Sequence, residues 1–264
     1  MKDLQDFNEI LSENKDLKER NKELLRSNTE LTSFNHVASH DLQEPLRKIQ
    51  LFISRIFDDK ELSLSDRNKD YFNKMKDAAN RMQALIDDLL AYSIVNGTDK
   101  IFEDVSLEMI VENVLSELSQ TQVIEEKNAE VNYSNLPDVH GIPFQLTQLF
   151  TNLIGNALKY TVPGRIPVIN IQASIVEGKD LPAADAEKTY HKIIVEDNGI
   201  GFEQEYAQKI FTLFQRLHDK QSFSGTGIGL AICKKVMENH SGFITTLSEP
   251  NQGTTFTIYI PVAK

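Results

Sequence analysis

Along the first hundred residues apolar positions recur with a helical period. Ile10, Leu17, Leu24 and Leu31 stand seven apart, and three positions before each lie Phe7, Asn14, Asn21 and Asn28. Leucine at heptad position d with asparagine at a, between charge-rich outer positions, predicts a parallel two-stranded coiled coil over residues 1–33. The amides pair across the seam and penalise other registers. The stripe continues through Ala38, Leu42, Leu46, Ile49, Ile53 and Ile56 and stops at the segment DDKELSLSD. It resumes with Phe72, Met75, Ala79, Met82, Ile86 and Leu89 on one face of a second helix. One such hairpin cannot bury both stripes, whereas two can as a four-helix bundle. Residues 34–98 therefore predict an antiparallel helical hairpin that forms a homodimer.

After residue 99 the texture changes. Residues 1–98 hold only Pro45 and Gly97, out of 8 prolines and 12 glycines in the chain. Beyond them, strand-like IFEDV, AEVNY, VINIQASIVE, HKIIVEDN, GFITTLSE and TTFTIYIP alternate with helical patterns over 106–126, 142–160 and 227–241. The class expected is α followed by α+β. Residues 99–264 form a two-layer α/β sandwich, with a largely antiparallel sheet and helices on one side. The stretch GKDLPAADAEKT is expected to be an exposed hairpin tip.

Charge and cysteine content narrow the functional classes. Of 264 residues, 28 are Lys or Arg and 39 are Asp or Glu, a net charge of −11 that argues against coating nucleic acid or an anionic membrane. The single cysteine, Cys233, excludes an intrachain disulfide framework and a Cys-rich zinc module. No apolar run approaches the roughly 20 residues that span a bilayer, and MKDLQDFNEI lacks a signal-peptide core, so a cytoplasmic location is expected.

His40 lies two residues before Leu42, roughly 200° around a helix and away from the stripe. Asp41 follows it, and a carboxylate beside an imidazole can hold one ring nitrogen protonated while the other acts as nucleophile. Pro45 removes the donor for the Asp41 carbonyl and loosens the helix one turn on. His36 has no such support and is read as structural. In IIVEDNGIGF, a strand ends at Asp197, and Gly199 and Gly201 let a ring approach the backbone, a pattern suited to the exocyclic amine of adenine. In SGTGIGLAICKKV, Gly225, Gly227 and Gly229 precede a helix whose N-terminus suits phosphates. In NLIGNALKYT, Asn152, Asn156 and Lys159 share a helix face, offering amide oxygens to magnesium and a point charge to phosphate.

Together these segments resemble the transmitter region of a sensor histidine kinase across residues 25–264. FNHVASHDLQEPLRKI resembles its H box, QLTQLFTNLIGNALKYT its N box, and VEDNGIGF and SGTGIGLAI its two glycine boxes. IFTLFQRL resembles the F box and NQGTTFTIYIP the closing segment. SNTELTSFNHVASHDLQEPLR is similar to kinases that follow PAS or phytochrome sensory modules. The resemblance implies a Bergerat ATP-binding fold with ATP and Mg2+. It makes His40 the phospho-acceptor and Asp41 its general base or orienting acid. Asn156 would hold the metal with Asn152 in support, Lys159 and Arg216 the triphosphate, and Tyr160 would lie against the nucleotide. Asp197 would recognise adenine, with Gly199, Gly201, Gly225, Thr226, Gly227 and Gly229 shaping the pocket and Thr255 lining its floor. Residues 215–226 would form a mobile lid. A separate response-regulator receiver is implied as partner.

Gyrase- and MutL-type ATPases of the same fold carry a glutamate where Asn152 stands. An amide cannot accept the proton of an attacking water, so ATP hydrolysis is disfavoured. Many histidine kinases carry Thr or Asn four residues after the histidine, positioning water for regulator dephosphorylation; here that residue is Glu44, with Gln43 in place of a common basic residue. Decay of a phosphorylated regulator is therefore expected to be no faster with the chain than without it. Robust dephosphorylation that survives Glu44→Ala overturns this expectation.

Overall fold

The computed structural model describes residues 2–58, 64–97, 101–120, 123–181, 184–217 and 225–263; side chains of most residues before 41, His40 among them, lie outside that set. The chain divides into two units, residues 1–99 and 100–264.

The first unit consists of α1 (Lys2–Asp58) and α2 (Asp66–Val95). α1 passes through Pro45 as one helix. Of the predicted coiled-coil positions, Asn14 and Leu17 are exposed in the single chain; the side chains of Phe7, Ile10, Asn21, Leu24, Asn28 and Leu31 lie outside the described residues. α2 begins at Ser65, whose hydroxyl accepts from the Asn68 N–H at 3.3 Å, a side-chain cap for an otherwise unpaired helix donor.

Two side-chain bonds fix the hairpin register. Gln43 Nε2 donates to Asp87 Oδ1 at 2.9 Å, and Gln50 Nε2 donates to Asn80 Oδ1 at 3.0 Å. Seven residues forward on α1 thus correspond to seven back on α2. Ser39, Leu46 and Ile53 of α1 and Ala79 and Ser93 of α2 are buried, with Ile86 half-buried. The Ser93 hydroxyl is buried without a hydrogen-bond partner. The single stripe expected from sequence therefore splits. Leu42 and Ile49 on α1, and Met75, Met82 and Leu89 on α2, stay exposed in the single chain. A helix in a four-helix bundle has two neighbours, so its apolar arc is wider than the seam to its own partner.

In the second unit, β1 (Glu103–Ser106) pairs antiparallel with β3 (Asp138–Gly141) as a separate two-stranded ribbon. β3 is absent from the sequence expectation. The helix expected over 106–126 is instead α3 (Leu107–Gln120) and the short α4 (Val123–Glu126). The main sheet runs β2-β4-β5-β7-β6, made of β2 (Glu130–Ser134), β4 (Val168–Glu177), β5 (Thr189–Asp197), β6 (Phe243–Glu249) and β7 (Gly253–Pro261). β2 pairs parallel with β4; the other three pairings are antiparallel. The β4–β5 tip folds on itself: Gly178 N–H donates to Lys188 O at 2.7 Å and Asp185 N–H to the Tyr190 hydroxyl at 3.2 Å.

α5 (Pro143–Lys159) and α6 (Gly229–Asn239) supply the helical side of the core. Leu146, Leu149, Phe150, Leu153 and Ile154 of α5, with Ile232, Cys233, Val236 and Met237 of α6, are almost fully buried. Ile169, Ile171, Ile193, Val195, Phe256 and Ile258 supply the strand side. Buried His240 stitches the two helices. Its Nε2 accepts from Ile142 N–H at 2.9 Å and its Nδ1 lies 2.7 Å from Val236 O, which puts the ring hydrogen on Nδ1. Cys233 Sγ lies 3.9 Å from Leu149 O, and burial pushes its thiol pKa far above the usual range.

Phe150 is 1% exposed at the centre of this core, so Phe150→Ala leaves a cavity that the sheet and α6 cannot both close. The substitution is expected to cost about 3–5 kcal/mol, read as a lower urea midpoint for the second unit's transition by circular dichroism.

Candidate functional site

The site lies within the second unit, where β5 ends and α5 ends. Asp197 is the last residue of β5 and stands opposite Thr254 on β7 and Ile169 on β4. Its Oδ1 accepts two backbone bonds, from Gly199 N–H at 2.8 Å and Thr254 N–H at 3.2 Å. Both bonds fall on one oxygen, leaving Oδ2 for a ligand donor. Around Asp197 a pocket is lined by Asn156, Tyr160, Ile200, Gly201, Phe202, Arg216, Leu230, Thr254 and Phe256. A carboxylate in mostly apolar surroundings that accepts through one oxygen suits a flat ring bearing an amino group.

The backbone around Asp197 is drawn in closely. Ile200 N–H donates to Tyr160 O at 2.9 Å, tying the glycine loop to the end of α5. Gly201 has φ +58°, and a Cβ there would lie 2.0 Å from Glu249 O, so the position admits glycine alone. Phe202 N–H donates to Ser248 Oγ at 3.0 Å, which fixes the far end of the loop to β6.

The polar rim gathers several of the residues expected from sequence. Lys159 closes α5; its Nζ donates to the Tyr160 hydroxyl at 3.1 Å and lies 4.5 Å from that ring's centroid. Arg216 Nη1 donates to Gly225 O at 2.7 Å. Gly225 itself lies against the Lys159 ammonium, and Gly227 against the backbone of Phe214 and Gln215. Thr226 Oγ1 accepts from Ile228 N–H at 3.3 Å. Gly229 opens α6, which has no side-chain cap, and a Cβ there would lie 2.7 Å from Asn152 Oδ1. An uncapped helix start leaves backbone N–H groups and a positive dipole end that suit an anion. Of the expected lid, residues 218–224 lie outside the described residues.

One expectation is corrected. Thr255 pairs with Glu196, and Thr254 with Asp197. Side chains alternate across a strand, so Thr255 faces the opposite side of the sheet from Asp197, and Thr254 and Phe256 line the pocket. Two adjacent threonines give no sequence signal for which one faces inward. Phe202 and Leu230 also line the pocket and are absent from the sequence expectation.

Asn156 lines the pocket, while Asn152 Nδ2 is buried without a hydrogen-bond partner. Among the described residues no cluster of His, Cys, Asp or Glu could hold a metal ion. The Asn156 amide oxygen is a donor that suits a hard cation arriving with a phosphorylated ligand. The orphaned Asn152 N–H suits a phosphate oxygen or a bound water. In the first unit, His40 and Asp41 lie on α1; the Asp41 side chain is exposed, and that of His40 lies outside the described residues.

Comparison with known proteins returns two family matches. Residues 30–97 match the His Kinase A (phospho-acceptor) domain, and residues 141–264 the Histidine kinase-, DNA gyrase B-, and HSP90-like ATPase. The chain is 35% identical over 255 residues to Phytochrome-like protein Cph1 of Synechocystis sp., covering 97% of this chain and 32% of that protein. It is 31% identical over 230 residues to Signal transduction histidine-protein kinase BarA of Escherichia coli (strain K12), covering 84% and 24% respectively. The fold is shared with full-length ShkA, solved in complex with AMPPNP, at a TM-score of 0.62 and 22% identity over 87% of this chain and 46% of that one. The chain thus spans about a third or less of the length of these curated relatives.

Burial pushes the Asp197 carboxyl up from 3.8 to about 6; the bonds from Gly199 and Thr254 oppose this and neighbouring Glu196 adds to it. Between those values the folded, ligand-free chain holds a proton that the unfolded chain has lost, so stability falls as pH rises from 3.8 to about 6 and the loss is complete above that. Asp197→Asn does not ionise and lacks this component. In thermal unfolding without ligand, its melting temperature is expected to rise relative to wild type as pH increases through this window; parallel curves overturn the assignment.

Proposed function

Because the chain belongs to the histidine kinases, with a phospho-acceptor region followed by an ATPase-like region, we propose that it transfers the γ-phosphoryl group of ATP to His40 and then to an aspartate of a separate response-regulator receiver. The observation that carries this is the buried Asp197 carboxylate, held on one oxygen by two backbone donors in an apolar pocket beside an uncapped helix start. The adenine amine donates to the free carboxylate oxygen while Ile200 and Phe256 take the ring. The phosphates run toward the start of α6, where Lys159, Arg216 and Thr226 gather. That ShkA was solved with the ATP analogue AMPPNP supports the same ligand here.

Phosphoryl transfer asks the protein mainly for alignment and charge neutralisation. A neutral His40 nitrogen forms the new bond to the γ-phosphorus as the bond to the β-phosphate oxygen breaks and ADP leaves. Asp41 takes the proton from the other ring nitrogen. Lys159 and Arg216 offset the phosphate charge. Asn156 is the residue that would hold Mg2+, which supplies further neutralisation of the phosphates when bound. Asn152 in the place of a glutamate leaves no base for water, which favours transfer to histidine over hydrolysis.

The chain acts as a homodimer, and its exposed Leu42, Ile49, Met75, Met82 and Leu89 support a second hairpin as the cover. The signalling helix over 1–33 receives input from a PAS or phytochrome type of sensory module, in keeping with the phytochrome-like relative. Among the described residues no helix is long and apolar enough to cross a membrane, and the reaction is assigned to the cytoplasm. Nucleic acid is not a partner of so acidic a chain.

Incubation with γ-labelled ATP and magnesium is expected to leave an acid-labile, base-stable label on the protein that vanishes in His40→Gln. Free phosphate without labelled protein instead supports a hydrolase, and neither product supports a nucleotide-binding scaffold.

A further inference from the structure

The loop joining α5 to β4 carries an arginine whose hydrogen bonds go to backbone carbonyls rather than to a carboxylate. Arg165 Nη1 lies 2.7 Å from Asn198 O, 3.0 Å from Asn251 O and 3.4 Å from Gly199 O. One guanidinium thus joins three segments: its own loop, the glycine loop after β5, and the turn between β6 and β7. The contact with Asn198 bears on the site directly. The carbonyl of Asn198 and the N–H of Gly199 belong to a single peptide group, and that N–H is the closer of the two donors to Asp197 Oδ1. A cation on the oxygen end of a peptide polarises it and strengthens the N–H as a donor.

The same loop is bracketed twice more. Asn198 Oδ1 accepts from Val168 N–H at 3.0 Å, and its Nδ2 donates to Ile166 O at 2.9 Å. Asn251 N–H donates to Ile200 O. The side chain of Asn198 therefore faces the α5–β4 loop, and the orientation of its peptide depends on what lies at its carbonyl.

We propose that Arg165 is a positioning residue for base recognition: its guanidinium holds the Asn198–Gly199 peptide and the Asn251 turn so that Asp197 is fixed on one oxygen and presents the other to the amino group of an aminopurine. The inference rests on the ATP assignment above. Arg165 touches neither the phosphates nor the acceptor histidine in this scheme, so it acts on binding of the base and not on the transfer step.

Autophosphorylation of the full chain is the test, with ATP and GTP as the nucleotides. Arg165→Ala is expected to raise KM for ATP about tenfold, the size of one lost charge-assisted hydrogen bond, to leave kcat at saturating ATP unchanged, and to narrow the preference for ATP over GTP. Arg165→Lys keeps a cation but not the planar guanidinium and its reach, and is expected to fall between wild type and Arg165→Ala. An unchanged KM in Arg165→Ala overturns the inference. So does a fall in kcat with KM and the ATP/GTP ratio preserved, which marks a general loss of folded protein. A wild-type chain that takes phosphate from neither nucleotide overturns the ATP assignment itself, and the inference with it.

Discussion

A carboxylate keeps its charge away from water only where donors replace the water, and in this chain the backbone supplies them. Both donors to Asp197 Oδ1 are peptide N–H groups, one from the loop just after its own strand and one from the facing strand β7. The second exists because β5 and β7 are paired with Asp197 opposite Thr254. A slip of one residue would present Thr255 and turn every inward side chain of β7 to the other face. The alignment of the whole antiparallel sheet is thus expressed at a single oxygen atom. Gly253 fits the same requirement: it has φ +119°, and a Cβ there would lie 1.9 Å from Asp197 O.

Much of the order of elements was legible because burial imposes a period. Helices α1, α2, α5 and α6 and strands β4 to β7 fall where alternation or helical spacing places them. The misses have physical causes. β3 is four residues long with two polar positions outward, too short for alternation to stand out. The region 106–126 keeps a helical composition from α3 into α4, with residues 121–122 outside the described set. The apolar stripe of the hairpin was read as one face because spacing alone does not separate residues facing the partner helix, such as Leu46 and Ile53, from those such as Leu42 and Ile49 that stay exposed in one chain.

At the site, residue types with distinctive chemistry were legible and residues acting through the backbone were not. Asp197, Asn156, Lys159 and the glycines announce themselves by type and spacing. Arg165 works through three carbonyls contributed by residues 33 to 86 positions away, and any residue type can contribute a carbonyl. Thr254 serves Asp197 with its N–H, which every residue but proline has. Only strand pairing decides between it and its neighbour. The single-chain sequence names the chemistry, and the tertiary register selects the atoms.

The lone thiol has a practical consequence. Cys233 is sealed between α6 and α5 with 0% exposure, and its proton is held tightly by burial, so almost no thiolate is present to react at neutral pH. Alkylating dyes and oxidants can modify it only when those helices part. The native chain is therefore blank to maleimide chemistry, and a cysteine introduced anywhere on its surface would be a unique address for a fluorophore or spin label without first deleting the natural one.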